Sequence, residues 1–203
     1  MSKLNKAIAA LGIVAGLGVA ALPLSSYAAD LKTVSQNLTV QAYIEETISI
    51  TIAEGSEGSF TDKGASTDAI LDLGNVALGS YATGDVDVKV MTNSDSGYTL
   101  TLASATDSTT MTNGKTGTIN AIASGAIESS STSAWGYKVG SGNWTGVVAN
   151  NSDSKPTIDS STAPTDGEST GVTNVTFGVA ASSTQESGTY TASVVFTATS
   201  NNQ

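Results

Sequence analysis

The sequence predicts an all-β fold: a β-sandwich, immunoglobulin-like or jelly-roll-like, preceded by a signal-peptide helix. Three observations carry that expectation. Apolar residues alternate with polar ones in several separate runs, the period-two signature of a strand with one buried face. Serine and threonine fill 58 of the 203 positions and glycine another 21, against three prolines, a composition suited to short strands and turns. No helical apolar period of useful length follows residue 30. The candidates near 67–70 and 121–127 are short and rich in Ser, Thr or Gly.

The chain opens on Lys3 and Lys6 with no acid, then runs apolar from Ala7 to Leu24 with a helix-breaking Pro23. Ser26-Tyr27-Ala28 supplies a small-x-small exit, so residues 1–28 read as a cleaved secretory signal peptide. The mature part, 29–203, is expected to be one domain, extracellular or on the cell surface, with no transmembrane segment of its own. It holds all 18 acids against six lysines, a net charge of −12. Such an excess keeps an exported chain soluble.

The strands are placed in order. Leu38, Val40, Ala42 and Ile44 alternate, and so do Ile48, Ile50 and Ile52, with Glu45-Glu46 marking a tight turn or a bulge between them. Val86, Val88 and Val90 alternate with Asp85, Asp87 and Lys89. Across Asn93–Gly97, Tyr98, Leu100 and Leu102 resume the pattern, so 85–103 reads as a β-hairpin. Residues 69–73, 118–123, 133–139 and 143–148 are shorter candidates, the last two paired around Gly140-Ser141-Gly142. Residues 150–171, with Pro156 and Pro164, read as a Ser/Thr/Pro-containing surface loop. A second hairpin, 175–199, closes the chain.

Composition excludes several chemistries. Without cysteine or histidine there is no disulfide, no thiolate or imidazole metal site, and no Cys- or His-based triad. All eight basic residues are lysines, so a nucleic-acid-binding face lacks its guanidinium groups. The carboxylate pairs Glu45/Glu46, Glu54/Glu57 and Asp85/Asp87 sit at strand positions that solvate them or point them apart, and no enzymatic activity is expected.

Three binding features stand out. Trp135, Tyr137 and Trp144 gather both tryptophans near one turn, and exposed they would form a stacking platform for a glycan. Calcium has oxygen ligands available in Asp62, Asp68 and Asp72, or in Asn93 and Asp95, although none has EF-hand spacing. Otherwise no cofactor or metal is expected. Lys32, Lys89 and Lys138 are possible donors for an intramolecular isopeptide bond.

Gly97-Tyr98-Thr99-Leu100 and the final Gly188-x-Tyr190-x-x-x-Val194-x-Phe196 strand resemble the WxL-type surface proteins of Gram-positive bacteria. In that outline Tyr98 stands where the family has Trp, and Gly97, Tyr98 and Leu100 form the motif-like residues. The resemblance implies a bacterial cell-wall β-sandwich that touches peptidoglycan or other wall polysaccharide, or surface proteins. The same outline is similar to fimbrial subunits, which pass an extended N-terminal segment to a neighbour; residues 29–36 are one candidate donor. The expected function is therefore a secreted or cell-surface structural or adhesive protein without catalysis. A carbohydrate-binding module and a self-associating fibre or pilus subunit are the alternatives.

Overall fold

The alternating runs do fold as strands. The computed structural model describes residues 39–56, 58–62, 69–123, 125–129 and 131–201. The predicted signal peptide, the candidate donor 29–36, Lys32, Glu57 and Asp68 lie outside these residues. Residues 43–203 form one compact unit. Residues 39–42, taken by themselves, are exposed and carry no regular secondary structure.

In chain order the strands are β1 (Ile48–Glu54), β2 (Ser59–Asp62), β3 (Ala69–Asp72), β4 (Tyr81–Thr92), β5 (Tyr98–Ser104) and β6 (Met111–Thr112). They continue as β7 (Thr118–Ala121), β8 (Ala134–Val139), β9 (Thr157–Ser161), β10 (Thr165–Asp166), β11 (Val172–Ala180) and β12 (Val194–Ser200). The sole described helical element is a 3-10 turn at Ile127–Ser129. The large sheet runs β1-β4-β11-β8-β7-β6, with β10 also on β4; the small sheet runs β12-β5-β9. A separate β2–β3 hairpin follows β1. All pairs are antiparallel except β7 with β8.

One core joins the two sheets. Val86, Val88, Val90, Val175, Trp135 and Tyr137 of the large sheet share it with Tyr98, Leu100 and Leu102 of the small one. Asp85, Asp87 and Lys89 alternate with the core valines along β4 and stand on the opposite face of its sheet. The fold is thus all-β, two sheets packed across a shared apolar layer.

Two hairpin expectations are corrected. β4 and β5 do not pair: β4 binds β1, β10 and β11, whereas β5 binds β12 and β9. The second expected hairpin behaves likewise, since β11 stays in the large sheet and β12 joins β5. Each is an arch crossing from one sheet to the other. Alternation tells which residues face inward but not which strand lies alongside, and two strands facing across a core alternate as hairpin partners do. The loop expected over 150–171 contains β9 and β10. Residues 143–148 contribute only a bridge, Tyr137 to Thr145.

Candidate functional site

Among the described residues, two neighbouring strands leave one side of the fold with unpaired edges. β1 pairs only with β4 and β12 only with β5 among the described residues, leaving each with a free edge, and the two strands run close to each other without pairing. Register places Ile48, Ile50 and Ile52 beside Thr92, Val90 and Val88, on the core face. Ile48 and Ile50 nevertheless remain 38 % exposed. Val194, Phe196 and Ala198 of β12 point the same way and are only half-buried against the core. The apolar layer therefore reaches solvent between these two edges.

Exposed edges usually carry a lysine, a proline, a bulge or a short strand that blocks further pairing. β1 reads ISITIAE and β12 reads VVFTATS, seven residues each, without lysine, proline or a break in register. Two other edges differ. β9 pairs with a bulge at Leu100/Thr101 and is preceded by Lys155-Pro156, and β6 is two residues long.

The entry to β1 is clamped. The Asn93 side chain accepts the Thr47 N–H at 2.7 Å and donates to the Glu45 carbonyl at 2.8 Å. Thr92 Oγ1 donates to the Thr47 carbonyl at 2.9 Å, which also accepts the Asn93 N–H. Glu45–Thr47 thus continues the line of β1 past the end of β4. The expected turn or bulge at Glu45-Glu46 is not found; the segment is held instead by these side chains. Before it, Val40 and Ile44 are 84 % and 81 % exposed, and residues 39–44 of the strand expected at 38–44 form no strand, Leu38 lying outside the described residues.

The motif-like residues Gly97, Tyr98 and Leu100 serve the core. Gly97 adopts a left-handed φ of 73°, and a Cβ there would collide with the Ser161 backbone. Leu100 is fully buried. The Tyr98 hydroxyl donates to Asp159 Oδ2 at 2.6 Å, and Thr173 Oγ1 donates to the same oxygen at 2.6 Å. One carboxylate so ties β5 and β9 of the small sheet to β11 of the large one. Burial first, then the hydrogen bond and charge of Asp159, push the Tyr98 phenol well above its ordinary pKa.

The three aromatics do not form one platform. Trp135, Tyr137 and Trp144 are 5 %, 2 % and 8 % exposed, which leaves no open ring face for a sugar. Trp135 and Tyr137 lie in the inter-sheet core, whereas Trp144 packs with Ile122, Ile127, Ala134 and Ala180 in a second cluster. That cluster sits on the back of the large sheet, over the registered pair Gly136 and Gly178. A Cβ on Gly178 would lie 2.5 Å from Trp144 Cη2. The Trp144 indole N–H donates to Glu128 at 2.6 Å, and the Lys138 amine, 3.7 Å from Glu128, stands 4.9 Å above the Trp144 ring. Lys138, a possible isopeptide donor, is therefore held by a glutamate and an indole.

Of the acids considered for catalysis or calcium, Asp72, Asp85 and Asp87 are held in structural hydrogen bonds. Asp85 accepts from Ser56 Oγ at 3.2 Å and from Asn174 Nδ2 at 2.7 Å, and the same amide reaches Asp87 at 3.0 Å. Among the described residues no three His, Cys, Asp or Glu side chains converge as a metal site. Asp72 accepts the Gly74 N–H, and Asn93 forms the clamp above. Sequence reasoning did not find Asp166, whose carboxylate folds the 167–170 loop. Its pKa is lowered by the Ser169 hydroxyl first, then by the Glu168 and Thr170 N–H groups. The Asp-Gly-Glu-Ser-Thr run is the signal that could have marked it.

Two sheets around one core, with one undefended side, define the class of fold; they do not define a family. No family model matches the chain, and neither a curated protein nor a solved structure matches it significantly.

Proposed function

We propose that the protein is an exported, non-catalytic structural subunit of the cell surface, and that it self-associates through the open side between β1 and β12. A single observation carries this reading. Two adjacent edge strands lack lysine, proline, a bulge or a short length to block pairing, and the apolar layer between them reaches solvent. Strand addition satisfies free backbone groups and covers apolar surface in one step. The acidic, cysteine-free composition suits an extracellular polymer that relies on no disulfide. The finer fold we assign is a β-sandwich, immunoglobulin-like or jelly-roll-like, in a bacterial wall setting of the kind the WxL-like outline implies. A glycan-stacking module is disfavoured by the burial of Trp135, Tyr137 and Trp144.

Fractionation of the native host, with electron microscopy of the sedimenting material, tests the reading. Fibres or a wall-bound polymer containing the protein are expected. A purely monomeric protein free in the medium would contradict it.

A further inference from the structure

We infer that the free edge of β1 pairs with β1 of a second copy of this chain, antiparallel and in register about Ile50, so that two large sheets run on as one. The inference rests on the self-association reading and names its partner and register. The second strand adds in the plane of the large sheet, on the outer side of β1. It needs no space between β1 and β12.

The ladder of β1 on β4 decides which backbone groups are available. Bonding alternates along an antiparallel pair, so every second residue turns its N–H and C=O away from its neighbour. The Thr47 carbonyl accepts the Asn93 N–H, in the register that continues through Ser49, Thr51 and Ala53 opposite Met91, Lys89 and Asp87. On the other side of β4 the Val90 N–H donates to the Gly171 carbonyl, which gives Val86, Val88 and Val90 to β11 and leaves their neighbours for β1. Ile48, Ile50 and Ile52 therefore direct their backbone groups to the free edge. Their side chains lie on the core face, where Ile48 and Ile50 are each 38 % exposed.

The sequence of this edge identifies its occupant. Glu46-Thr47-Ile48-Ser49-Ile50-Thr51-Ile52-Ala53-Glu54 reads with the same chemistry in both directions about Ile50. A two-fold contact has to be self-complementary in this way, because residue i meets j and j meets i. Pairing about Ile50 sets Ile50 against Ile50 and Ile48 against Ile52 of the second copy, covering the exposed isoleucines with isoleucine. The exposed Ser49 and Thr51 meet on the opposite face. A shift of one residue inverts the faces, and a shift of two sets a glutamate against an isoleucine. The register has one cost: Glu46 of each copy stands opposite Glu54 of the other, and opposed like charges weaken a pair. The contact closes on itself, so its product is a dimer, the unit from which a longer polymer is built.

Disulfide trapping in the full chain tests this, since the chain has no cysteine of its own. Ser49→Cys and Thr51→Cys alter exposed positions, and in the inferred register they face each other as a non-hydrogen-bonded pair, where side chains lie closest. Under mild oxidation an equal mixture of the two variants is expected to give a covalent dimer, and each variant alone is not. Sedimentation velocity supplies a second readout. Glu46→Lys is expected to associate about tenfold more tightly than wild type, because two repulsive pairs become attractive. Asp153→Lys, the same charge change at another exposed position, sets the baseline. Circular dichroism and melting confirm that each variant is folded. If the wild type associates, three results overturn the pairing about Ile50 and leave self-association standing: Thr51→Cys linking to itself, a mixture that does not link, or Glu46→Lys no tighter than Asp153→Lys. A wild type that is monomeric at every concentration overturns the functional reading itself.

Discussion

The edge strands of the molecule treat the same hazard differently. At β9, pairing is interrupted by a bulge and Lys155-Pro156 precede the strand, and β6 is two residues long and bridged through Thr112 to Thr191. At β9 the sheets are also tied together, because Asp159 accepts the hydroxyls of both Tyr98 and Thr173. On the flank bounded by β1 and β12, the strands are regular and uncharged apart from Glu54, and the core-facing isoleucines stay exposed. Both edges were built by one chain under one solvent. The contrast points to a side kept closed and a side kept available.

The largest stability effect is expected where the core is closed. Leu100→Ala should cost about 2–5 kcal/mol, as for other buried leucines, whereas Ile50→Ala, whose side chain is 38 % exposed, should cost on the order of 1 kcal/mol. Urea denaturation of the two variants measures the difference. Equal losses would mean that the β1 side is packed as tightly as the centre, which breaks the comparison.

Next comes the inter-sheet tie. Asp159→Ala leaves the buried Tyr98 hydroxyl and the Thr173 hydroxyl without their shared acceptor, at about 1–3 kcal/mol for a lost buried partner. Its pH dependence has a definite sign. The phenol's pKa is raised in the folded state, so the associated stability is fully present below about pH 10, the ordinary tyrosine value. It falls as pH rises above that value, because the unfolded chain ionises first. Tyr98→Phe should flatten this alkaline loss in melting curves taken from pH 9 to 11.

Gly178→Ala should destabilise by about 1–3 kcal/mol through overpacking, since the new methyl would lie 2.5 Å from Trp144 and 3.2 Å from Ile127. The indole's fluorescence should shift toward the red as it lifts from the sheet. The smallest stability change belongs to Ile50→Lys/Thr197→Lys, whose side chains sit at the open edge; its effect should fall on association.

Much of the fold could be read from the chain because burial follows alternation. Val86, Val88 and Val90 and then Leu100 and Leu102 face inward as their spacing requires. Pairing was not legible, since both arches carry hairpin-like sequences yet cross between sheets. β9 was hidden because its five residues, TIDSS, bury few apolar atoms and act through the Asp159 carboxylate. The tryptophans looked like one cluster because they are near in sequence. Gly136 and Gly178, isolated glycines within strands, are the kind of residue that marks a close approach, and they admit Trp144 on the opposite face. The open side was legible only by halves. Leu38 to Ile44 and Ile48 to Ile52 alternate alike in sequence, and only the three-dimensional structure shows that Ile48–Glu54 pairs with β4 while 39–44 forms no strand.

The central claim is that the β1–β12 side is an association surface. Sedimentation velocity of the full chain across a concentration series, with wild type beside Ile50→Lys/Thr197→Lys, tests it most directly. The wild type should show species that grow with concentration, and the edge variant should sediment as a folded monomer throughout. A wild type that is monomeric at every concentration, or an edge variant indistinguishable from it, would contradict the account.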